Sequence, residues 1–526
     1  MLETPATIFT PEDFTDEHRA IARATAEFFD REVAPHREAI QHQDFEVALG
    51  ALRKSAELGL VGALVPERYG GMELDLASSL IVSEGVARDA SYASYHGAQA
   101  GIGVLPVLLF GTEAQKQKYL PRLVSAELIA AYCLTEAQAG SDAMALRTRA
   151  DLSPDGSHYV LNGQKVWITN GGIADLFTVF AKVDGDRFTA FLVERAWPGV
   201  SSGAEEKKMG LKGSSTTAVF FDNVKVPAEN VLGEVGRGHI VAFDILNLGR
   251  LHLAGFAQGE CREALAHSLR YACERRAFGK SIGEFGLIQH KLAEMAARMF
   301  ANESMIYRIA GKCSTWNTLL RTGEEFAIEC SLIKIYGSET LDYVVDEAVQ
   351  IHGGYGYHQD YAVERAYRDA RIYRIFEGTN EINRILATGM LLKRASKGAI
   401  QLREANLEPT RDMIANAKEI ALFLIEKART GPEQQEATAA VTDVLMHIFA
   451  MESAGLRAHK SGSAQARAMA AVIAEEGMRV IEASARNVLG GVIEPVEPLL
   501  KRAPVNTIAL RREIAGRLLE AGRYVV

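Results

Sequence analysis

Glu377 has the setting that most directly suggests chemistry. It lies between Phe376 and Gly378, immediately before a segment whose apolar spacing predicts a helix. Removing a carboxylate from water raises its pKa, and a general base is tuned toward neutral pH in this way. A glutamate at this point can also simply stabilise the N-terminus of the following helix. The segment alone therefore leaves a catalytic and a structural interpretation open.

Two segments rich in small and hydroxyl residues can surround a ligand. In 132–142 (YCLTEAQAGSD), small residues let the backbone approach a ligand closely, and Thr135 and Ser141 offer hydroxyls. In 166–170 (VWITN), Trp167 stands beside a hydroxyl on a predicted strand. An ordinary polar turn and a tryptophan of the protein core are the respective alternatives.

Two later segments bear on phosphate binding. In 275–279 (RRAFG), Arg275 can offer a guanidinium to a pyrophosphate with Phe278 stacking nearby, whereas a helix end capped by Gly279 is the ordinary alternative. The segment 350–356 (QIHGGYG) is rich in glycine, but it is not a GxGxxG pattern after a strand. No GxxxxGK[ST] pattern occurs either, so the Rossmann and P-loop interpretations both fail.

The elements that must position these residues follow a helix–strand–helix order. Helical spacing of apolar residues marks 1–130, and short β-branched and aromatic runs between turns predict an antiparallel β domain over 131–240. Helical periodicity returns in 241–395, which includes a continuous predicted helix over 284–321 and has bundle-length segments. It continues in 410–526. We therefore expect an α+β fold that is mainly helical, in four domains.

Composition and charge exclude several classes of protein. The 526 residues are 48% hydrophobic and carry 58 Lys+Arg against 67 Asp+Glu, a net charge of −9 that argues against a dedicated nucleic-acid binder. The five cysteines form no CxxC pair, so neither a metal site nor a disulfide framework is expected. No apolar run approaches the length of a membrane span. A soluble, cytoplasmic protein is expected.

The order of the segments is more informative than any one of them. YCLTE…AGSD, WITN, RRAFG, QIHGGYG and FEGTNEI, in this order, resemble the acyl-CoA dehydrogenase family over residues 15–395. Stretches such as 206–212 (EKKMGLK) resemble its very-long-chain branch, which carries an extra helical domain matching 410–526. The resemblance implies an N-terminal helical domain, a middle β domain and a C-terminal four-helix bundle, with FAD bound between the last two. It also implies at least a homodimer, because two subunits share the cofactor.

The resemblance also implies roles for individual residues. Glu377 matches the base that removes the α-proton of a fatty acyl-CoA thioester while the β-hydride passes to the flavin, which gives a trans-2-enoyl-CoA. Electrons then leave through electron-transfer flavoprotein. The residues implied at the flavin are Tyr132, Leu134, Thr135, Gly140, Ser141, Trp167, Ile168 and Thr169. Those implied at the ADP half or the phosphates are Arg275, Phe278, Gln350, Gly354, Thr379 and Glu381.

The resemblance further implies substrate contacts, at Ser141, Ala98, Asn247, Arg250 and Gly378. Ala98 aligns with a glutamate that closes the acyl tunnel of medium-chain relatives, so its small side chain predicts a long- or very-long-chain substrate. An alignment shifted by one residue would place Gln99 there instead. Some branches carry the base at the position of Gly249, which has no side chain here.

Alternatives on the same fold remain. An oxidase would pass electrons to oxygen, and a scaffold relative would bind a partner complex. A flavin-bearing nucleic-acid binder is opposed by the charge of −9. Basic residues near apolar ones over 499–517 can lie on an anionic bilayer, which would place the protein peripherally at the inner face of the membrane. An ordinary packed helix with a solvated face is the alternative for this stretch.

Overall fold

The chain forms two compact units. The computed structural model describes residues 5–428 and 434–526. The first unit consists of Met1–Phe14, Leu253–Lys312 and Glu325–Val526, and the second of Thr15–His252 and Cys313–Glu324. Residues 1–4 and 429–433, which two of the predicted domains include, lie outside the described residues. The predicted limits of the four domains stay a prediction.

Seven α-helices precede the sheet in the second unit. They are α1 (Asp16–Phe28), α2 (Arg37–Gln41), α3 (Phe45–Glu57), α4 (Leu76–Val86), α5 (Ala90–Gly97), α6 (Val104–Phe110) and α7 (Glu113–Val124). Five of them begin at a short polar side chain that accepts a hydrogen bond from a backbone N–H of the first turn, as helix N-caps do. These caps are Thr15, Asp44, Asp75, Asp89 and Thr112. The predicted helical N-terminal region is confirmed.

The sheet of the second unit carries four of the eight residues predicted at the flavin, and the other four follow its strand β1. Its strands are β1 (Ala130–Cys133), β2 (Arg149–Leu152), β3 (His158–Thr169), β4 (Leu176–Val183), β5 (Arg187–Glu194), β6 (Val200–Ser202), β7 (Thr216–Pro227) and β8 (Val231–Leu232). The strand order is β6-β7-β3-β2-β4-β5-β8, and β1 also pairs with β4. Inward residues such as Phe177, Phe191 and Val219 are fully buried and form its core.

The sheet is mixed, whereas the sequence predicted an antiparallel domain. Strand β4 runs antiparallel to β5 but parallel to both β1 and β2. Strand β1 is buried along its whole length and β4 at all but one position. Continuous burial of this kind is typical of parallel strands, which are covered on both faces. Strand β5, which pairs only antiparallel, is also buried at six consecutive positions, so burial alone does not identify the parallel pairs.

The first unit contains the helical bundle and the additional C-terminal helices. Helix α8 (Gly238–Glu274) is divided between the two units at residue 252. The remaining helices of this unit are α9 (Gly286–Ala310), α11 (Ala327–His352), α12 (Ala362–Ala370), α13 (Asn380–Ser396), α14 (Met413–Ala428), α15 (Gln435–Ser461), α16 (Ala464–Val488), α17 (Glu497–Leu500) and α18 (Thr507–Ala521). A short helix of the second unit, α10 (Leu319–Glu325), precedes α11. A two-residue hairpin, β9 (Arg276–Ala277) with β10 (Lys280–Ser281), follows α8.

The prediction of one helix over 284–321 is wrong at its C-terminal end. Helix α9 stops at Ala310, and Gly311 caps it. A side chain at Gly311 would meet Phe9, whose Cβ lies 2.2 Å from the position of an added Cβ. After this point the hydroxyl of Thr318 bonds to the carbonyl of Thr315 in a separate turn. Such local side-chain bonds compete with helix hydrogen bonds and end the regular spiral.

Two long apolar helices of the described residues are mostly buried, as helices of a protein core are. Two helices of the described residues, α8 and α15, are long and apolar enough to cross a membrane by length and composition, although the sequence suggested no such segment. In each, 72% of the apolar window is buried inside the protein. Helices packed into a protein core are buried to this extent, so the two helices are only weak evidence for a membrane span.

The basic stretch over 499–517 packs against the protein. The apolar side chains of Leu499, Leu500 and Ile514 are buried. Arg511 pairs with Glu294 of α9 and Glu476 of α16, and Arg502 and Arg517 also bond to carboxylates. Ile508 is 64% exposed, but three apolar side chains and three of the five basic side chains of this stretch are used within the unit, which favours the packed-helix alternative.

Candidate functional site

Glu377 lies in a strained turn directly before α13. Its φ is +56° and that of Gly378 is +80°, so two consecutive residues are left-handed. Glycine adopts this conformation readily, but for glutamate it is costly and persists only where neighbouring contacts hold it. The side chain of Glu377 is half-buried. Its raised pKa, expected from the sequence, stays a prediction.

Two side chains that the sequence analysis missed hold this turn. The buried Lys334 of α11 donates from Nζ to the carbonyl of Gly378 and to Oδ1 of Asn380, both at 2.7 Å. Asn383 donates from Nδ2 to the carbonyl of Gly378 at 2.8 Å and to that of Thr379 at 3.1 Å. The Gly378 carbonyl thus receives two donors. The position of Lys334 within the apolar run 331–337 is the sequence feature that could have indicated this role, because buried lysines are almost always paired.

Thr379 and Glu381 begin helix α13, as predicted. The hydroxyl of Thr379 accepts a hydrogen bond from the backbone N–H of Ile382 at 3.2 Å and caps the helix. A hydrogen bond from its own backbone N–H is the main cause that lowers the pKa of Glu381. The first turn of α13 therefore carries the ionised carboxylate of Glu381.

The structure brings together the two segments predicted at the flavin. The backbone N–H of Val166 donates to the carbonyl of Thr135 at 3.0 Å, and the buried Lys165 donates from Nζ to the carbonyl of Leu134 at 3.1 Å. Strand β3 therefore lies beside the segment that follows β1. Tyr132 is buried, and its hydroxyl donates to the carbonyl of Ala242 at 3.2 Å.

A buried carboxylate organises the loop after β1. Glu136 accepts hydrogen bonds from Nζ of Lys165 at 2.8 Å, from the backbone N–H groups of Arg147 and Thr148, and from the hydroxyl of Thr148. Burial acts to raise the pKa of Glu136, but Lys165 and the other donors outweigh it and lower the pKa to about 2. The loop that contains Gly140 and Ser141 is thus tied at both ends to one ionised group.

Trp167 is not a core residue, so that alternative is wrong. The pairing of β3 with β7 shifts register between Lys165 and Ile168, and Trp167 has a φ of +60° at this irregularity. Its side chain is 62% exposed, whereas the next residue, Ile168, is buried. A bulge re-aims a side chain in this way. Thr169 follows it, half-buried, at the end of the strand.

These groups fit a flavin chemically. An exposed indole offers a surface for a planar aromatic ring, and Thr135, Ser141 and Thr169 supply hydroxyls that can meet its polar edges. An added Cβ at Gly140 would meet no heavy atom within 4 Å, so this part of the loop is open on its outer side. The described part of the chain contains no group of three or more His, Cys, Asp or Glu residues able to hold a metal ion.

In the first unit, the residues predicted at the ADP half share one surface. Phe278 is 96% exposed with a φ of +50° at the tip of the β9–β10 hairpin. Gly279 completes that tip, so it is a hairpin residue rather than a helix cap. The guanidinium of Arg275 lies over the ring of Tyr355, 5.6 Å from its centroid, and thereby brings the hairpin to the glycine-rich segment. Gln350 and Gly354 are exposed there.

Helix α8 presents two of the residues predicted to contact substrate. Arg250 donates to Oδ1 of Asn247 at 2.8 Å, and both side chains are buried. Asp244 lies one turn earlier on the same helix, and burial, with Glu324 nearby, raises its pKa to about 7. No pattern in the sequence marks Asp244 as a site residue.

Ala98 and Gln99 have different surroundings. Ala98 is buried at the start of an irregular helical turn. Gln99 is fully buried and donates from Nε2 to the carbonyls of Leu123 and Leu128, while its Oε1 accepts from the N–H of Ala130. The side chain of Gln99 therefore has a structural role at the start of β1, which favours Ala98 as the residue that faces a ligand.

The comparisons with known proteins agree with this arrangement. The family descriptions for the acyl-CoA dehydrogenase N-terminal domain, middle domain and C-terminal domain match residues 15–127, 131–224 and 236–391, and a further C-terminal domain of that name matches 426–496. A probable acyl-CoA dehydrogenase of Bacillus subtilis is 44% identical, across 99% of this chain and 96% of its own length. The mitochondrial very long-chain specific acyl-CoA dehydrogenase of Homo sapiens is 47% identical, across 62% of this chain and 51% of its own length.

A solved structure resembles the whole chain. The acyl-CoA dehydrogenase from Bacillus anthracis, crystallised in complex with FAD, is 43% identical and superposes with a TM-score of 0.95. The match covers 100% of this chain and 98% of that one. The similarity therefore includes the additional C-terminal helices as well as the bundle and the sheet.

Proposed function

The chain belongs to the acyl-CoA dehydrogenase family, and from that premise we propose that it is an FAD-dependent enzyme that converts a long- or very-long-chain fatty acyl-CoA to the trans-2-enoyl-CoA. The observation that carries the proposal is the turn of Glu377, a carboxylate held in a strained conformation by Lys334 and Asn383. FAD is the cofactor, as in the similar Bacillus anthracis structure.

The residues of the chain divide the work of the reaction. Glu377 accepts the α-proton of the thioester on its carboxylate, and its backbone N–H holds the thioester carbonyl as negative charge develops there. Trp167 covers the cofactor ring, while the hydroxyls of Thr135 and Ser141 bind its edge. Bound FAD supplies the acceptor for the β-hydride, which is the chemistry that the side chains themselves lack.

The substrate preference and the partners complete the proposal. The small, buried Ala98 and the 47% identity to a very long-chain specific enzyme support a long acyl chain. The nearly fully exposed ring of Phe278 supports a homodimer or larger homo-oligomer, in which it contacts the cofactor of a second copy. Electrons leave to electron-transfer flavoprotein, and the enzyme acts in the cytoplasm. Because most of the basic side chains over 499–517 pair within the protein, the proposal does not extend to a membrane.

Anaerobic flavin bleaching tests this function. We expect the purified protein to show a flavin band that C16- and C18-CoA bleach more strongly than C8- or C12-CoA. Glu377→Gln keeps the flavin but slows bleaching by at least about a hundredfold, the effect typical of removing a general base. Glu520→Gln, an exposed position on α18, is the control and leaves the rate unchanged.

The alternative functions give different results. Bleaching strongest with C8-CoA would keep the enzyme and refute the long-chain preference. Rapid re-oxidation of the reduced protein by oxygen, with release of peroxide, would identify an oxidase. A flavin that none of these thioesters bleaches would contradict the proposal and favour a scaffold role on the same fold.

A further inference from the structure

Helix α15 of the additional C-terminal region reaches the turn of Glu377 through consecutive polar contacts. Asp443 of α15 binds Nε of Arg384 at 2.8 Å. Arg384, on α13, also binds Glu339 of α11, with its terminal nitrogens 2.8 and 3.1 Å from the two carboxylate oxygens. The guanidinium thus joins two carboxylates from two different helices, and both of them raise its pKa against the effect of burial.

The contacts continue from Glu339 to the turn itself. Asn380 donates from Nδ2 to Oε1 of Glu339 at 3.1 Å and accepts from Lys334 at 2.7 Å on its Oδ1. Lys334 then donates to the carbonyl of Gly378, the residue after Glu377. Asn380 and Lys334 are buried, with 3% and 0% exposure. We call Asp443, Arg384, Glu339, Asn380 and Lys334 the polar chain.

A second contact fixes the same helices in register. The hydroxyl of Thr442, next to Asp443, donates to the backbone carbonyl of Arg384 at 2.5 Å and lies 2.7 Å from the hydroxyl of Thr388. Both threonines are fully buried. Helix α15 is therefore fixed to the second and third turns of α13, which follow the turn of Glu377.

We propose that the additional C-terminal region has a positioning role in the reaction, in which Asp443 supports the left-handed turn of Glu377 through the polar chain. The inference rests on the proposed function for the role of Glu377 as base. Each member of the polar chain is the partner of the next, so a loss at Asp443 leaves Arg384 held by Glu339 alone. The pair can then shift together and disturb the contact of Glu339 with Asn380. A strained turn depends on such support, because its conformation is maintained only by the contacts around it.

The test uses Asp443→Asn in the full-length holoenzyme, with Glu419→Gln as the matched control. Glu419→Gln also removes an ion pair, because Glu419 binds Arg403, and neither of these two residues belongs to the polar chain. We expect Asp443→Asn to lower the limiting rate of flavin reduction by C16-CoA about fivefold, within the range typical of coupling through packed networks. We also expect it to move the apparent pKa of the pH–rate profile, with little change in KM. Glu419→Gln leaves the limiting rate and the profile unchanged.

A double-mutant cycle with Lys334→Met separates positioning from general loss of stability. If the polar chain transmits the effect, Asp443→Asn adds no further loss once Lys334 is gone, and Asp443→Glu restores part of the rate. The proposal would be overturned if the rate losses of Asp443→Asn and Lys334→Met multiply in full in the double variant. Equal limiting rates for Asp443→Asn and Glu419→Gln would also overturn it.

Hydrogen exchange keeps this inference distinguishable from the proposed function. In Asp443→Asn, amides of residues 376–383 exchange faster than in Glu419→Gln, whether or not a thioester bleaches the flavin. Equal exchange in the two variants would overturn the positioning role. Faster exchange without any thioester reaction would retain the structural link and refute the role of Glu377 as base.

Discussion

Replacing Lys165 by methionine should destabilise the sheet-containing unit more than any exposed substitution there. Lys165 is fully buried and its partner Glu136 is 4% exposed, so the variant leaves a carboxylate in a site without its counter-charge. Against the effect of burial, Lys165, Thr148 and Arg147 together lower the pKa of Glu136 from 4.5 to about 2, which corresponds to about 3 kcal/mol of stability at neutral pH, and Lys165 contributes the largest part of it. Breaking buried pairs costs a similar ~3–5 kcal/mol.

Thermal unfolding at pH 7 is the assay. A loss of about 3 kcal/mol lowers the melting temperature by roughly 6–12 °C for a unit of this size. Lys118→Met is the control, because its partner Glu194 and the lysine itself are both partly exposed, and such pairs contribute about 1 kcal/mol or less. The pH dependence has a definite sign. Stability contributed by Glu136 is complete above pH 4.5 and is lost as the pH falls toward 2.

The variant should also bind flavin more weakly. Lys165 holds the carbonyl of Leu134 directly, and Glu136 holds the loop that contains Ser141. A melting temperature for Lys165→Met equal to that of Lys118→Met would refute the reasoning about burial. Normal flavin affinity together with the expected loss of stability would refute only the link between this ion pair and the cofactor loop.

Two further predictions concern the strained turn and the buried histidines. Gly378→Ala places a side chain at a φ of +80°, which should cost about 1–2 kcal/mol of folding stability and slow flavin reduction. The control Gly389→Ala, in helix α13 with open space around it, should leave the stability unchanged or raise it. Equal melting temperatures for the two variants would contradict this prediction. Burial lowers the pKa of both His96 and His252 from 6.5 to about 4. As the pH falls from 6.5 to 4, the unfolded chain therefore binds protons at these histidines that the folded protein does not, and the sheet-containing unit loses stability. His96→Gln should therefore melt with a smaller difference between pH 7.5 and pH 5 than the wild type, and an unchanged difference would be the contrary result.

The fold could be predicted because its signals are local. Helical spacing before residue 130 and short β-branched runs after it follow from burial of one face of each element, and the structure confirms both. The parallel pairing of β1 with β4 could not be predicted in the same way. Ala130 pairs with Leu176, 46 positions away, and nothing in the local pattern specifies that partner. The need for glycine at position 311, where α9 ends, likewise arises from a remote residue, because Phe9 leaves no room for a side chain there.

The candidate site shows the same division. Glu377 could be chosen because its motif is contiguous, whereas Lys334 contacts Gly378 across 44 residues of chain and has no motif of its own. The exposure of Trp167 depends on a register shift against β7, so the sequence left core and ligand contact open. The motifs thus predict which groups meet a ligand, whereas the groups that support them became visible only through tertiary contacts.

Backbone strain links these observations. Ten non-glycine residues of the described chain have positive φ, and they include Trp167, Phe278 and Glu377. These are the two aromatic rings assigned to the cofactor and the base assigned to the reaction. A bulge, a hairpin tip and a lysine-held turn respectively impose the three conformations. Each conformation is unfavourable for an isolated residue, so the surrounding elements must supply the stabilising free energy. A substitution that removes one of these supports should therefore loosen the chain around the strained residue and impair binding or turnover, as expected for Asp443→Asn.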